Sequence, residues 1–151
     1  MKTFQVSIIR PLTWFGLFLM AFGGTVNAAA ADSKLEIQLV WGTNDDSSSD
    51  PKHKPLEVSL AKKLGMFKWK KYFTVNQREV SLVPQTAQKI KLSARCEIEI
   101  KQLEGQRYQI NVYGEGKHLK KITEKITKQD ALTIAGDDKN DCGWFILIRE
   151  I

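Results

Sequence analysis

Long hydrophobic runs are almost missing from this 151-residue chain. The one that stands out, Leu12 to Phe22, falls short of the roughly 20 apolar residues that a membrane-spanning helix needs, and no later segment comes nearer. Cysteine is equally scarce. Cys96 and Cys142 have no histidine pair nearby, so a tetrahedral zinc site has no ligand set. The two histidines are His53, between lysines in a polar stretch, and His118, near Glu115, and neither is tied by spacing to a nucleophile. A phosphate-binding glycine loop and a dinucleotide fingerprint are both lacking. No cofactor and no metal are expected.

What remains is informative about compartment. Lys2 and Arg10 precede the apolar run, and Gly23, Gly24 and Thr25 lead to small residues ending at Ala28–Ala31, the layout of a secretory signal. The expected organisation is a signal peptide over 1–30 and a single exported domain, periplasmic or extracellular, over 31–151. A chain of that length holds one core. Without Lys2 and Arg10, 21 of the 23 basic residues face 17 acidic ones, too small an excess for a nucleic-acid binder. The excess is local: seven lysines and one acid, Glu57, lie between Pro51 and Asn76.

The hydrophobic pattern is that of short strands. Leu35, Ile37, Leu39 and Trp41 alternate with Lys34, Glu36 and Gln38, which predicts a half-buried first strand. Residues 43–54 are polar throughout and read as an exposed loop. Pro55 at a first turn, with Leu56, Leu60 and Leu64 at fourfold spacing and Gly65 as a left-handed cap, predicts one short helix over 55–64. Strand signals resume at 69–75, break at Asn76-Gln77, return at 79–83, and then recur at about ten-residue intervals, with Glu104-Gly105 as a tight turn. Residues 118–126 fit a lysine-guarded edge strand, although Leu119, Ile122 and Ile126 also fit a helix. Residues 144–148 are apolar on both faces and belong at a sheet centre. The fold class is all-β: an antiparallel β-sandwich or open barrel of eight or nine short strands with one short helix. Cys96 and Cys142 both share the parity of core residues, which allows a disulfide worth about 4 kcal/mol or two separate buried thiols.

Three stretches, Val40-Trp41-Gly42-Thr43, Phe67-Lys68-Trp69-Lys70 with Tyr72-Phe73 and Val75-Asn76, and Ala135-Gly136-Asp137-Asp138-Lys139-Asn140 followed by Trp144-Phe145, give the chain a resemblance to a group of small exported bacterial proteins of unknown function. The resemblance implies export and a single domain, and no activity.

The densest mix of rings and charge lies at 66–73. On a strand from Lys68 to Val75, Lys68, Lys70 and Tyr72 share one face, while Trp69, Phe73 and Val75 share the other. One reading makes the segment structural, with Trp69, Phe73 and Val75 in the core. The other makes Lys68, Lys70 and Tyr72, with Lys62 and Lys63 of the preceding helix, a basic aromatic contact face. Such a face suits an anionic polysaccharide, a lipid head group or an acidic protein. The functional expectation is an exported, non-enzymatic binding or structural module of the cell envelope. Its competitors are a small secreted hydrolase that uses His118 and an inhibitor that acts through the 43–54 loop. Two aspartate clusters, Asp45/Asp46/Asp50 and Asp137/Asp138/Asp141, lack the ligand spacing of a calcium loop and are expected to be polar turns.

Overall fold

The computed structural model describes residues 32–139 and 141–151, so the expected signal segment and its cleavage point lie outside the described residues. Two antiparallel sheets make a β-sandwich. The larger holds β1 (Ser33–Thr43), β2 (Lys54–Pro55), β3 (Lys71–Leu82), β8 (Leu132–Asp137) and β9 (Gly143–Glu150) in the order β2-β3-β1-β9-β8. The smaller holds β4 (Ala87–Lys91), β5 (Cys96–Gln102), β6 (Arg107–Gly114) and β7 (Lys117–Lys125) in sequence order. A helix, α1 (Val58–Lys63), runs into a 3-10 turn at Leu64–Met66.

Period-two patterning builds the main core. Leu35, Ile37 and Leu39 of β1 and Ile146 and Ile148 of β9 meet Ile98 and Ile100 of β5 and Ile110 and Val112 of β6 between the sheets. Each such side chain, fully buried, contributes about 1.5–3 kcal/mol. β9 is internal, as its two apolar faces require. The ambiguous segment is a strand, β7, at the edge of the smaller sheet, and its register against β6 settles the choice that periodicity left open.

The first strand departs from expectation. It lies between β3 and β9 and is buried on both faces, Glu36 and Gln38 included. Their burial is tolerable because the polar atoms are paired: Glu36 accepts hydrogen bonds from Gln38 Nε2 at 2.8 Å and Gln77 Nε2 at 2.9 Å, and Arg149 Nε lies 2.8 Å from Glu36 Oε1.

A second core sits on the outer face of the larger sheet, where Leu56, Leu60 and Leu64 press against Val40, Phe145 and Leu147. The leucines fulfil the amphipathic pattern, but the helix begins three residues later than expected because Pro55 is paired with Phe73 in β2. Gly65 is not a left-handed cap; the chain continues through it as a 3-10 turn. Nor does Asn76-Gln77 break the strand. β3 runs unbroken to Leu82 because the Asn76 side chain is satisfied in place, donating to Leu92 O at 2.7 Å and accepting from Gln77 N at 2.8 Å.

No disulfide joins the cysteines. Common parity put both on the inner side, yet parity does not make two residues opposite. Cys142 packs within its own sheet, its Sγ donating to Thr43 Oγ1 at 3.9 Å, whereas Cys96 starts β5 in the other sheet and lines open space between the two.

Candidate functional site

The basic aromatic face expected at 62–72 does not form as one surface. Residues 67–70 are a bend rather than a strand, so side-chain alternation does not carry through them. Tyr72 and Trp69 therefore enter the same second core, 8% and 7% exposed, and both meet the Phe145 ring edge-on, at 5.6 and 5.5 Å. Tyr72 is not an exposed contact residue. Its hydroxyl donates to Leu64 O at 2.8 Å, and burial raises its pKa above the ordinary 10.0. The lysines are scattered. Lys68 stays exposed, 2.6 Å from Asp141 Oδ1, and that hydrogen bond is the main cause of its raised pKa. Lys63 lies 3.5 Å from Asp130 Oδ1. Lys62 and Lys70 are exposed, and the Lys70 backbone N–H donates to Asn44 Oδ1.

Trp69 has a different task. Its Nε1 donates to Asp141 O at 2.8 Å and anchors the β8–β9 turn. That turn is one of four connections gathered at one end of the sandwich: residues 44–53, 92–95, 115–116 and 138–142. Beneath them a cavity of 590 Å³ opens between the sheets. Leu39 and Val112, from the end of the main core, form its floor. Trp41 and Trp144, directly opposite each other on β1 and β9, line one wall, and Val75, Cys96 and Leu119 complete the apolar lining.

Two of these residues owe their place to breaks in strand register. Leu39 and Val40 pair with Asn76 and Thr74, which leaves Val75 as a bulge in β3. Val112 and Tyr113 pair with Lys120 and His118, which leaves Leu119 as a bulge in β7. A bulge re-aims the extra side chain and bends its strand, and bulges gather beside binding sites for that reason. Among the described ladders the register slips at these two places, and both bulged residues line the same cavity. Glycines make the remaining room. A Cβ on Gly136 would sit 2.2 Å from the Trp144 ring, and one on Gly114 would sit 2.6 Å from Leu119 Cδ1.

The rim is polar. Arg95 and Glu115 pair at 2.9 Å, Asp137, Asp138 and Lys139 stand on the β8–β9 side, and Ser49 and His53 come from the 43–54 loop. That loop packs back on its own sandwich: His53 lies edge-on to Trp41 at 6.3 Å, with Nδ1 2.7 Å from Ser48 Oγ. Ser48, His53 and Asp50 invite comparison with a hydrolytic triad, but Asp50 Oδ2 is 3.8 Å from His53 Nε2, beyond a hydrogen bond. Ser48 Oγ also accepts the Asp50 backbone N–H at 3.3 Å, so the cluster closes a turn. His118 lies elsewhere, edge-on to Tyr113 at 5.3 Å with Nε2 3.4 Å from Asn111 Oδ1, and meets no nucleophile among the described residues. Among the described residues no three of His, Cys, Asp and Glu converge as metal ligands. Burial raises the pKa of the Cys96 thiol inside the cavity.

Comparison of the chain with protein-family models, with curated proteins and with solved structures finds no match.

Proposed function

We propose that this protein is an exported, non-enzymatic binding module that holds a small amphipathic ligand, apolar body inward, in the end cavity between its sheets. The observation that carries the reading is the convergence of both strand bulges, Val75 and Leu119, on a cavity walled by Trp41 and Trp144. A volume of 590 Å³ lies within the range of about 300–1,000 Å³ typical of small-molecule sites, and an apolar wall with a few polar groups at the mouth is the usual chemistry of such sites. Binding follows from burial of apolar surface against the two tryptophans, and orientation follows from the charged rim. Export rests on the N-terminal charge and small-residue pattern.

The test uses an anilinonaphthalene sulfonate dye, which has an aromatic body and an anionic head. The expected result is saturable dye fluorescence at one site per chain with a matching change in tryptophan emission. Leu119→Gln should weaken binding about fivefold, since removing one partly exposed apolar contact costs on the order of 1 kcal/mol, and should leave the melting temperature unchanged because Leu119 is 55% exposed. Absence of saturable binding by the folded chain would reject the site.

A further inference from the structure

The two sheets differ on their outer sides. The larger is covered by α1 and the second core, whereas the outward-facing residues of the smaller one, such as Lys89, Glu99, Asn111 and Lys121, are exposed or half-buried. Strand register arranges that bare face in rows. One row runs Lys89, Glu99, Asn111, Lys121, and the next runs Lys91, Glu97, Tyr113, His118. Lys101 and Gln109 lie in the row beyond, and Arg107 and Lys125 face each other beyond that.

The face therefore carries six permanent cations and two carboxylates. The carboxylates are already engaged: Glu99 accepts from Asn111 Nδ2 at 3.0 Å, and Glu97 lies 3.8 Å from Lys89. Some surface cations elsewhere sit beside acids, as in Lys34–Glu79, Lys63–Asp130 and Arg95–Glu115, while others, such as Lys52, Lys62 and Lys70, join no ion pair among the described residues either. Here Lys101, Lys121, Lys125 and Arg107 join no ion pair among the described residues. The centre of the face is not apolar. Gln109, Asn111 and the half-buried Tyr113 lie between the flanking lysines, with Lys89 Nζ 5.6 Å from the Tyr113 ring centroid.

We propose that this face binds a linear anionic polysaccharide; Tyr113 also borders the end cavity, whereas Lys101, Lys121, Lys125 and Arg107 do not. The flanking lysines meet its carboxylates or sulfates, the central amides meet its hydroxyls, and the Tyr113 ring packs against a sugar face. Charge complementarity sets the sign of the partner, and the neutral hydrogen-bonding centre favours a hydroxyl-rich chain over a lipid surface, which would call for apolar side chains to insert.

The test measures binding of the folded chain to heparin, polygalacturonate and neutral dextran, and to phosphatidylglycerol vesicles, at about 0.15 M salt, where screening already weakens loose charge attraction. Retention on the two anionic polysaccharides and not on dextran is expected. The triple variant Lys101→Gln, Lys121→Gln, Lys125→Gln should lose roughly tenfold in affinity while keeping its melting temperature and dye binding. Lys52→Gln, Lys62→Gln, Lys70→Gln removes the same charge from exposed positions off this face and should stay within about twofold of the parent. Tyr113→Ala should weaken binding without changing its salt dependence. Equal losses from the two triples would reduce the effect to net charge and overturn the proposal. So would failure to bind either anionic polysaccharide, or binding to the vesicles alone.

Discussion

Replacing Gly143 by alanine should be far more damaging than an added methyl group suggests. The new Cβ would lie 2.4 Å from Trp69 Cη2, 2.6 Å from Cζ2 and 2.7 Å from Cζ3, against an ordinary carbon contact of about 3.5–4.0 Å. The indole would have to move by about 1 Å. It has no slack, because Phe145 sits edge-on at 5.5 Å and Nε1 is fixed to Asp141 O at 2.8 Å. Overpacking of this kind costs about 1–3 kcal/mol, and losing the indole hydrogen bond adds about 1 kcal/mol. An expected loss of roughly 2–4 kcal/mol lowers the urea midpoint by about 1–3 M. The control is Gly65→Ala, where an added Cβ meets nothing within 4 Å and φ is not left-handed. It should be neutral or stabilising by about 0.5 kcal/mol, through the entropy of the unfolded chain. A Gly143→Ala loss below about 0.5 kcal/mol, with tryptophan emission unshifted, would refute the packing described for Trp69.

Tyr72→Phe should cost about 1 kcal/mol in urea unfolding, for the buried hydrogen bond to Leu64 O, whereas an exposed contact tyrosine would give no loss. Glu36→Ala strips Gln38 and Gln77 of their acceptor and Arg149 of the carboxylate 2.8 Å from its Nε, and should cost about 2 kcal/mol by the same measurement, less than a wholly buried pair because the Arg149 side chain is 32% exposed. Stability should also fall in alkali. Cys96, Tyr72 and Tyr108 are each raised above their ordinary 9.0, 10.0 and 10.0, chiefly by burial, and Lys68 above 10.5, chiefly by its bond to Asp141. The folded state then holds protons that the unfolded state has released, so the contribution is complete below pH 9 and is lost as pH rises through the folded values. Melts from pH 8 to 11 should show that decline, and Tyr72→Phe should make it shallower.

The sandwich was legible because period-two alternation survives wherever a strand has one core face, as in Ile98 and Ile100 or Ile110 and Val112. It failed where a second layer covers the outer face. Glu36 and Gln38 look like surface residues until Gln77 and Arg149 are seen beside Glu36. The contact face at Lys68 and Tyr72 failed for a related reason: parity was carried across residues 67–70, where the chain bends. Asn76-Gln77 resembled a turn because nothing local reveals that Leu92 O, from the β4–β5 connection, takes the Asn76 side chain. The cavity was out of reach, since a bulge is a property of two strands and neither Val75 nor Leu119 marks itself as one. The nearest sequence signals were Gly136 and Gly114, whose lack of a Cβ makes room for Trp144 and Leu119.

Cys96 allows the binding site to be probed directly, because its thiol lines the cavity while Cys142 is buried outside it. The decisive measurement is the rate of Cys96 alkylation by N-ethylmaleimide in the folded chain, read by peptide mass spectrometry with and without saturating anilinonaphthalene sulfonate. A ligand seated between Trp41 and Trp144 should slow modification of Cys96 by about tenfold, the loss expected when a half-buried thiol is covered, and leave Cys142 unchanged. An unaltered Cys96 rate at saturating dye would place the ligand elsewhere and contradict the account.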